Sequence, residues 1–341
     1  MRVESVPEIV SVSLFCSSLQ AINPNKLKTS KYLMSANFNP NIPNLILMVK
    51  PKSFGFNHET SGSNSFQNES ENTAVHEIAR IEFDQMVQTF IENKIDVTVF
   101  EDEINGLPDS IFPNNWLSHV PKHGLVVYPM LTENRRKEVR FDIVNKLKHQ
   151  LDVMNIIDLR ASIEDSLYLE GTGSIIFDHA SKKAFACISP RTDLKVLNHL
   201  CELIGYDSIT FESTDLNGQQ IYHTNVMLSI AVKFAVVCLE SIPDILERAM
   251  LKQSLERIGK EVVDISYTQM NSFGANALEV VNQEGKSFFA LSQSAFDAFS
   301  ADQISLIEKY TTMLPIRIKT IESVGGGSVR CMMAGLFNYP K

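Results

Sequence analysis

The sequence lacks any C-x-x-C pair and carries only five cysteines in 341 residues: Cys16, Cys187, Cys201, Cys238 and Cys331. An odd, scattered set of this kind argues against a disulfide scaffold or a zinc knuckle and predicts a reducing, cytoplasmic compartment. Basic residues are outnumbered 31 to 40, for a net charge of −9. Nucleic acid is therefore not an expected partner, since phosphate binding needs a basic stripe. No apolar run approaches the ~18 residues needed to cross a bilayer, so no membrane partner is expected either. The stretch Ile9 to Ala21 imitates a signal-peptide core, but Glu4 and Glu8 stand where positive charge belongs. Residues 1–43 are instead expected to be a poorly ordered extension, with 44–341 forming one catalytic domain.

What is present is an ordinary globular composition, 44% hydrophobic and 21% charged, arranged periodically. Asn44 to Lys50, closed by Pro51, reads as a buried strand. Lys52 to Thr73 is rich in Ser, Asn and Gly, with Phe54, Phe56 and Phe66 spaced through it, and reads as an active-site flap. Val75, Ala79, Phe83, Met86 and Phe90 share one helical face, and Asp96 to Phe100 returns as a strand. A strand–strand–helix–strand order then repeats to the end of the chain. Its leading strands are expected at Phe112 to Val120, Leu169 to Phe177, Tyr222 to Ile230 and Ala277 to Val281. One helix opens at Ser241-Ile242-Pro243-Asp244, with serine as the cap, and another at the capping-box spelling Ser300-Ala301-Asp302-Gln303.

Each unit carries a polar residue at a corresponding place. Asn115, Glu170, His223, Asn276 and Cys331 are separated by 55, 53, 53 and 55 residues. Such regularity predicts pseudosymmetric blades around one centre, with each leading strand pointing a side chain inward. The last strand would pair with Leu45 to Lys50 and close the ring as a propeller does. Four of the five residues make chemical sense together. Cys331 would be the nucleophile, beside Arg330 and the Gly325-Gly326-Gly327 turn, where positive charge favours a thiolate. His223 would be the general acid and base, Glu170 would orient and charge the imidazole, and Asn115 would hold substrate. Each also has a plain structural reading: a core cysteine, a satisfied strand histidine, an acid in a turn, a turn asparagine. Cys187, Cys201 and Cys238 lie in apolar patterns and read as core. Asp178-His179 reads as an exposed hairpin turn.

At this point the motifs resemble a known family. Gly-Gly-Gly-Ser-Val-Arg330-Cys331-Met is similar to the nucleophile motif of the guanidino-group-modifying enzymes, which include arginine deiminase, dimethylarginine dimethylaminohydrolase, agmatine deiminase and the amidinotransferases. Leu169-Glu170-Gly171-Thr172-Gly173 resembles their Leu-(Glu/Asp)-Gly-Gly-Asp segment, and Tyr222-His223-Thr224-Asn225 their histidine strand. The spelling Phe112-Pro113-Asn114-Asn115-Trp116 resembles the citrulline-utilisation hydrolase branch. The resemblance spans about residues 44–337. It implies a five-bladed α/β propeller (the pentein fold), a covalent thiol mechanism, and neither metal nor other cofactor. It also implies that Arg136 and Arg191 hold the substrate carboxylate; the plain alternative is two surface arginines.

Departures from the family pattern bear on the substrate. Where relatives hold a cationic guanidinium with carboxylates, this sequence has Asn114, Asn115 and Asn225. An amide donates as well as accepts, and a site lined by amides leaves a buried cation unpaired. A neutral ureido group fits better, which points to citrulline, cleaved to ornithine, carbon dioxide and ammonia. An arginine or dimethylarginine deiminase, an amidinotransferase, and a non-catalytic amino-acid-binding propeller stay open as alternatives. The partner is in each case a small molecule, and the sequence leaves open whether the chain forms a homo-oligomer.

Overall fold

The computed structural model describes residues 39–70 and 72–338. Cys16 and nearly all of the expected 1–43 extension lie outside the described residues. The strands are β1 Leu45–Lys50, β2 Val97–Glu101, β3 Leu117–Val120, β4 Gly124–Val127, β5 Ile156–Asp158, β6 Ile176–Asp178, β7 Lys183–Cys187, β8 Asp207–Phe211, β9 Leu228–Ile230, β10 Phe234–Val237, β11 Glu261–Asp264, β12 Leu278–Val281, β13 Ser287–Ser292, β14 Thr312–Ile316 and β15 Ala334–Leu336. They form five separate three-stranded sheets in an α/β fold, ordered β15-β1-β2, β3-β4-β5, β6-β7-β8, β9-β10-β11 and β12-β13-β14. In every sheet the middle strand pairs antiparallel on one side and parallel on the other.

A parallel pair needs a crossover, and a helix supplies it each time. These are α1 Val75–Glu92, α3 Phe141–Gln150 (after the single turn α2 Glu133–Arg136), α5 Leu194–Ile204, α6 Ile245–Arg257 and the pair α8 Gln293–Ala298 and α9 Ala301–Glu308. Two short helices, α4 Gly171–Ser174 and α7 Tyr267–Asn271, sit elsewhere in the units. The stripe read on α1 is the buried one: Val75, Ala79, Phe83, Met86 and Phe90 all face the core. At about 1.5–3 kcal/mol per large apolar side chain, that face rather than helix propensity holds α1 in place. Ser300 and Gln303 form the capping box expected at α9. α6 begins later than its sequence implies. Asp244, not Ser241, is the cap, accepting from the backbone N–H groups of Leu246 and Glu247. Ser241 is instead turned inward, bonded to Ser213 Oγ and Cys238 O.

The first sheet takes its strands from both ends of the described chain. β15 runs antiparallel to β1, with Leu45, Ile46 and Leu47 opposite Leu336, Gly335 and Ala334, the pairing expected from sequence. Cores fill the spaces between neighbouring sheets; one of them joins Leu45 and Leu47 to Trp116, Leu117, Ala334 and Leu336. One strand of every sheet (β3, β6, β9, β12 and β15) contributes to the lining of a single cavity of about 60 Å³.

Two expectations fail here. Asp178 and His179 do not form an exposed turn: Asp178 is buried against Lys260 and Asn41, and His179 stacks on Phe177. A charge partner 82 positions away decides this, and local sequence does not show it. The second concerns the leading strands. Among the five polar residues, none lies on a strand; each sits in the turn ahead of β3, β6, β9, β12 or β15.

Candidate active site

Those turns are built by the local sequence. Pro113 opens a 3-10 turn, Pro113–Asn115, that carries both asparagines. Glu170 stands at the N-terminus of α4, which starts at Gly171. Gly171 has φ +50° and meets the main-chain oxygens of Asn114 and Asn115, so a side chain there would collide with them. His223 precedes a 3-10 turn, Thr224–Val226, that carries Asn225. Asn276 closes a turn on Phe273 O, and Cys331 one on Ser328 O. The Cys331 turn follows a π-helical segment, Ile321–Gly325. Ser328 and Ser294 donate to Glu322 in that segment, which ties the nucleophile loop to its base.

The side chains converge. Cys331 is 6% exposed, and its sulfur lies 3.3 Å from Asn225 Nδ2 and 3.3 Å from Asn276 Nδ2. Asn276 Oδ1 accepts from the Arg330 N–H, so the same amide fixes both the sulfur and its backbone. His223 Nε2 stands 2.8 Å from Glu170 Oε2. The other Glu170 oxygen accepts from the backbone N–H of Leu131 at 3.0 Å. Burial alone would raise the Glu170 carboxyl. The charge of Arg191, the hydrogen bond and charge of His223, and Arg135 more than offset it and hold the carboxyl well below its usual range. Burial lowers His223 to about 4, against the raising effect of Glu170. His223 is therefore a neutral imidazole at pH 7, with its Nε2–H donated to an anionic Glu170. That leaves Nδ1 as the basic lone pair. It faces Gly173, where an added Cβ would lie 2.8 Å from Nδ1 and 2.3 Å from Asn115 Nδ2.

The asparagines differ from ordinary turn residues because they are buried and incompletely bonded. Among the described residues neither Asn114 Oδ1 nor Nδ2 has a partner, and the same holds for Asn115 Nδ2 and Asn225 Oδ1. Buried polar atoms are nearly always paired, so a cluster of unpaired ones marks where a ligand belongs. The Asn115 amide cannot flip to satisfy itself. Its Oδ1 accepts from Arg135 Nη1 at 2.9 Å, and the flipped form would set an N–H against that guanidinium. Arg135 is in turn held by both oxygens of Glu138. Burial, the largest effect, opposes its charge, but Glu138 and Asp109 raise its pKa above the ordinary arginine value.

Arg191 is buried beside the dyad. Its Nη1 is 3.4 Å from Glu170 Oε2, and its guanidinium lies 4.9 Å from the centre of the Tyr222 ring. Its remaining donors go to Thr60 O and Ser63 Oγ in the 52–70 segment. That segment, read from sequence as a flap, does lie over the site. Asn64 and Gln67 donate to Gly326 O and Gly325 O, and Asn57 bonds Asp109. Arg136 stands outside this cluster. It donates to Met130 O and to the carbonyl of Leu131, the residue whose N–H holds Glu170. Sequence reading thus singled out the neighbour of the arginine that reaches Asn115. It noted Asn276 only as a repeat position, although the matched spacing was the signal. Nothing in the sequence marks Glu322.

A buried thiol, an imidazole–carboxylate pair and unsatisfied amides thus stand on the entry turns of the five sheets. Residues 50–338 match the family model described as N,N dimethylarginine dimethylhydrolase, eukaryotic. The chain belongs to that family, within the guanidino-modifying superfamily. No curated protein sequence matches it. Solved structures do. The apo arginine dihydrolase ArgZ of the cyanobacterial ornithine–ammonia cycle shares 15% identity, with a TM-score of 0.67, over 86% of this chain. The chain spans only 41% of that protein's length. The substrate-bound N-terminal domain of ArgZ is 16% identical over 87% of this chain and 99% of the domain, with a TM-score of 0.65. A dimethylarginine dimethylaminohydrolase variant, as an adduct with S-methyl-L-thiocitrulline, is 12% identical over 86% of this chain and all of its own, with a TM-score of 0.59. At these identities the structures share a fold with this chain.

Proposed function

We propose that this chain is a citrulline hydrolase producing ornithine, carbon dioxide and ammonia. Its catalytic domain would span 44–341 as a five-bladed pseudosymmetric α/β propeller. The cavity lined by one strand from each sheet and the β15–β1 pairing support that closure. The single observation that carries the substrate is the locked Asn115 amide. With Oδ1 held by Arg135, it offers a buried, unpaired N–H to the site. That N–H suits the carbonyl oxygen of a ureido group and repels a guanidinium N–H. Asn225 is the complement: Nδ2 goes to the sulfur, leaving Oδ1 to accept from a ureido NH₂.

These positions support the following chemistry. Cys331 gives its proton to His223 Nδ1, and the thiolate attacks the ureido carbon. The carbonyl oxygen gains charge, which the Asn115 N–H stabilises. Collapse breaks the bond from carbon to Nδ of the substrate, and the imidazolium, held by Glu170, protonates the departing amine. Ornithine leaves, and an S-carbamoyl group stays on Cys331. Water, deprotonated by His223, attacks that carbon and expels the thiolate. The resulting carbamate breaks down to carbon dioxide and ammonia. Arg191 would exchange its contacts with Thr60 and Ser63 for the α-carboxylate, and Arg136 would offer its uncommitted Nη1. Asn114 would complete the polar lining.

One observation favours a second reading. Asp109 Oδ1 is buried and unpaired, an acceptor a guanidinium could use, which points to arginine or a methylated arginine as substrate. Burial raises the Asp109 carboxyl despite Arg135, which weakens it as an anion for this purpose. Incubation with citrulline, arginine, agmatine and dimethylarginine separates the two. The expected outcome is ornithine and ammonia from citrulline alone. Formation of citrulline from a guanidino substrate would establish the second reading.

A further inference from the structure

The cavity between the five sheets takes no part in the chemistry above, and its lining contains a buried hydroxyl without a partner and a guanidinium without a carboxylate among the described residues. Arg330 reaches it from the nucleophile turn, 7% exposed, with Nη1 on Met333 O at 2.9 Å as its one side-chain hydrogen bond. Among the described residues no carboxylate pairs with it. Ser229 Oγ, on β9, is buried at the same cavity without a partner among the described residues. A buried guanidinium without a counter-charge is costly, and a cavity beside it is where the missing charge would go.

We infer that this cavity binds a small monovalent inorganic anion, of chloride or bicarbonate size, held by the Arg330 guanidinium and the Ser229 hydroxyl. Its volume of about 60 Å³ is several times the ~10–15 Å³ that one water requires, room for a small inorganic anion together with a few waters. Burial lowers Arg330 only to about 10, so it stays charged at neutral pH. The nearby acids are engaged elsewhere. Asp178 is paired with Lys260 and bonded to Ser181 N–H. Glu279 accepts from Val232 N–H and Ser287 Oγ. Aromatic rings, Phe177 and Phe337, form part of its wall. The site is independent of which molecule is hydrolysed.

The test uses the full chain at constant ionic strength, with chloride or bicarbonate replacing gluconate, an anion too large for the cavity. The melting temperature should rise saturably, by about 4 °C at a hundredfold excess over Kd. The anion that saturates at lower concentration is the better occupant. Crystals soaked in bromide should show an anomalous peak within hydrogen-bonding distance of Arg330 and Ser229 Oγ. Ser229→Val should weaken the chloride midpoint at least tenfold, and Arg330→Gln, if it folds, should abolish the response. Equal stabilisation by gluconate, or a bromide map with no peak in the cavity, would overturn the proposal. So would an unchanged midpoint in Ser229→Val.

Discussion

Replacing Asn115 with aspartate changes one NH₂ to an oxygen and leaves the shape of the site nearly intact. One carboxylate oxygen keeps the 2.9 Å contact to Arg135 Nη1; the other takes the place of the unpaired Nδ2 beside Gly173 and His223. A citrulline carbonyl would then lose its donor and meet a negative oxygen instead. Losing a buried hydrogen bond and leaving its acceptor unpaired costs about 1–3 kcal/mol, more where charge is involved. At about 1.4 kcal/mol per decade, kcat/KM for citrulline should fall about a hundredfold or more. A guanidinium would gain an acceptor at the same point, so the citrulline-to-arginine ratio should fall further. The assay is ornithine and ammonia release from each substrate, with circular dichroism to confirm the fold. An unchanged or increased ratio would refute the donor assignment, and the substrate proposal with it.

Gly173→Ala would place a methyl 2.3 Å from Asn115 Nδ2 and 2.8 Å from His223 Nδ1. Displacing both groups by about an ångström should lower kcat/KM roughly a hundredfold while the chain still folds, measured by steady-state kinetics alongside a melt. His119 is lowered to about 4 by burial. An unfolded histidine takes its proton near 6.5, so its contribution to stability is intact above that pH and is lost as pH falls toward 4. His119→Asn keeps an acceptor for the Phe337 N–H. It should flatten stability against pH between 6.5 and 4 by one proton, about 1.4 kcal/mol per pH unit, read by urea unfolding at several pH values.

The repeat was legible because burial imposes it. The α1 stripe and the β1–β15 pairing follow from apolar spacing, and the intervals of 53 and 55 residues correspond to sheets of one kind. Cys331, His223, Glu170 and Asn115 stood out as chemistry-bearing residues at matched places in that repeat. Their local conformation did not. Pro113, Gly171 and the Ser328–Cys331 turn put them ahead of the strands, where backbone geometry rather than hydrophobic alternation rules. Arg135 and Arg136 are adjacent with the same side chain, and only the contacts with Asn115, 20 residues away, and Glu138 separate the buried one from its neighbour. Asp178 reads as a turn residue until Lys260, 82 residues later in the next unit, supplies its counter-charge.

The covalent step can be observed directly. Enzyme turning over citrulline labelled at the ureido carbon is quenched in acid, and the peptide containing Cys331 is recovered. Label bound to that sulfur, with release of unlabelled ornithine and with neither label nor turnover in Cys331→Ala, is the predicted result. Continued hydrolysis in Cys331→Ala, or label carried on another residue, would contradict it.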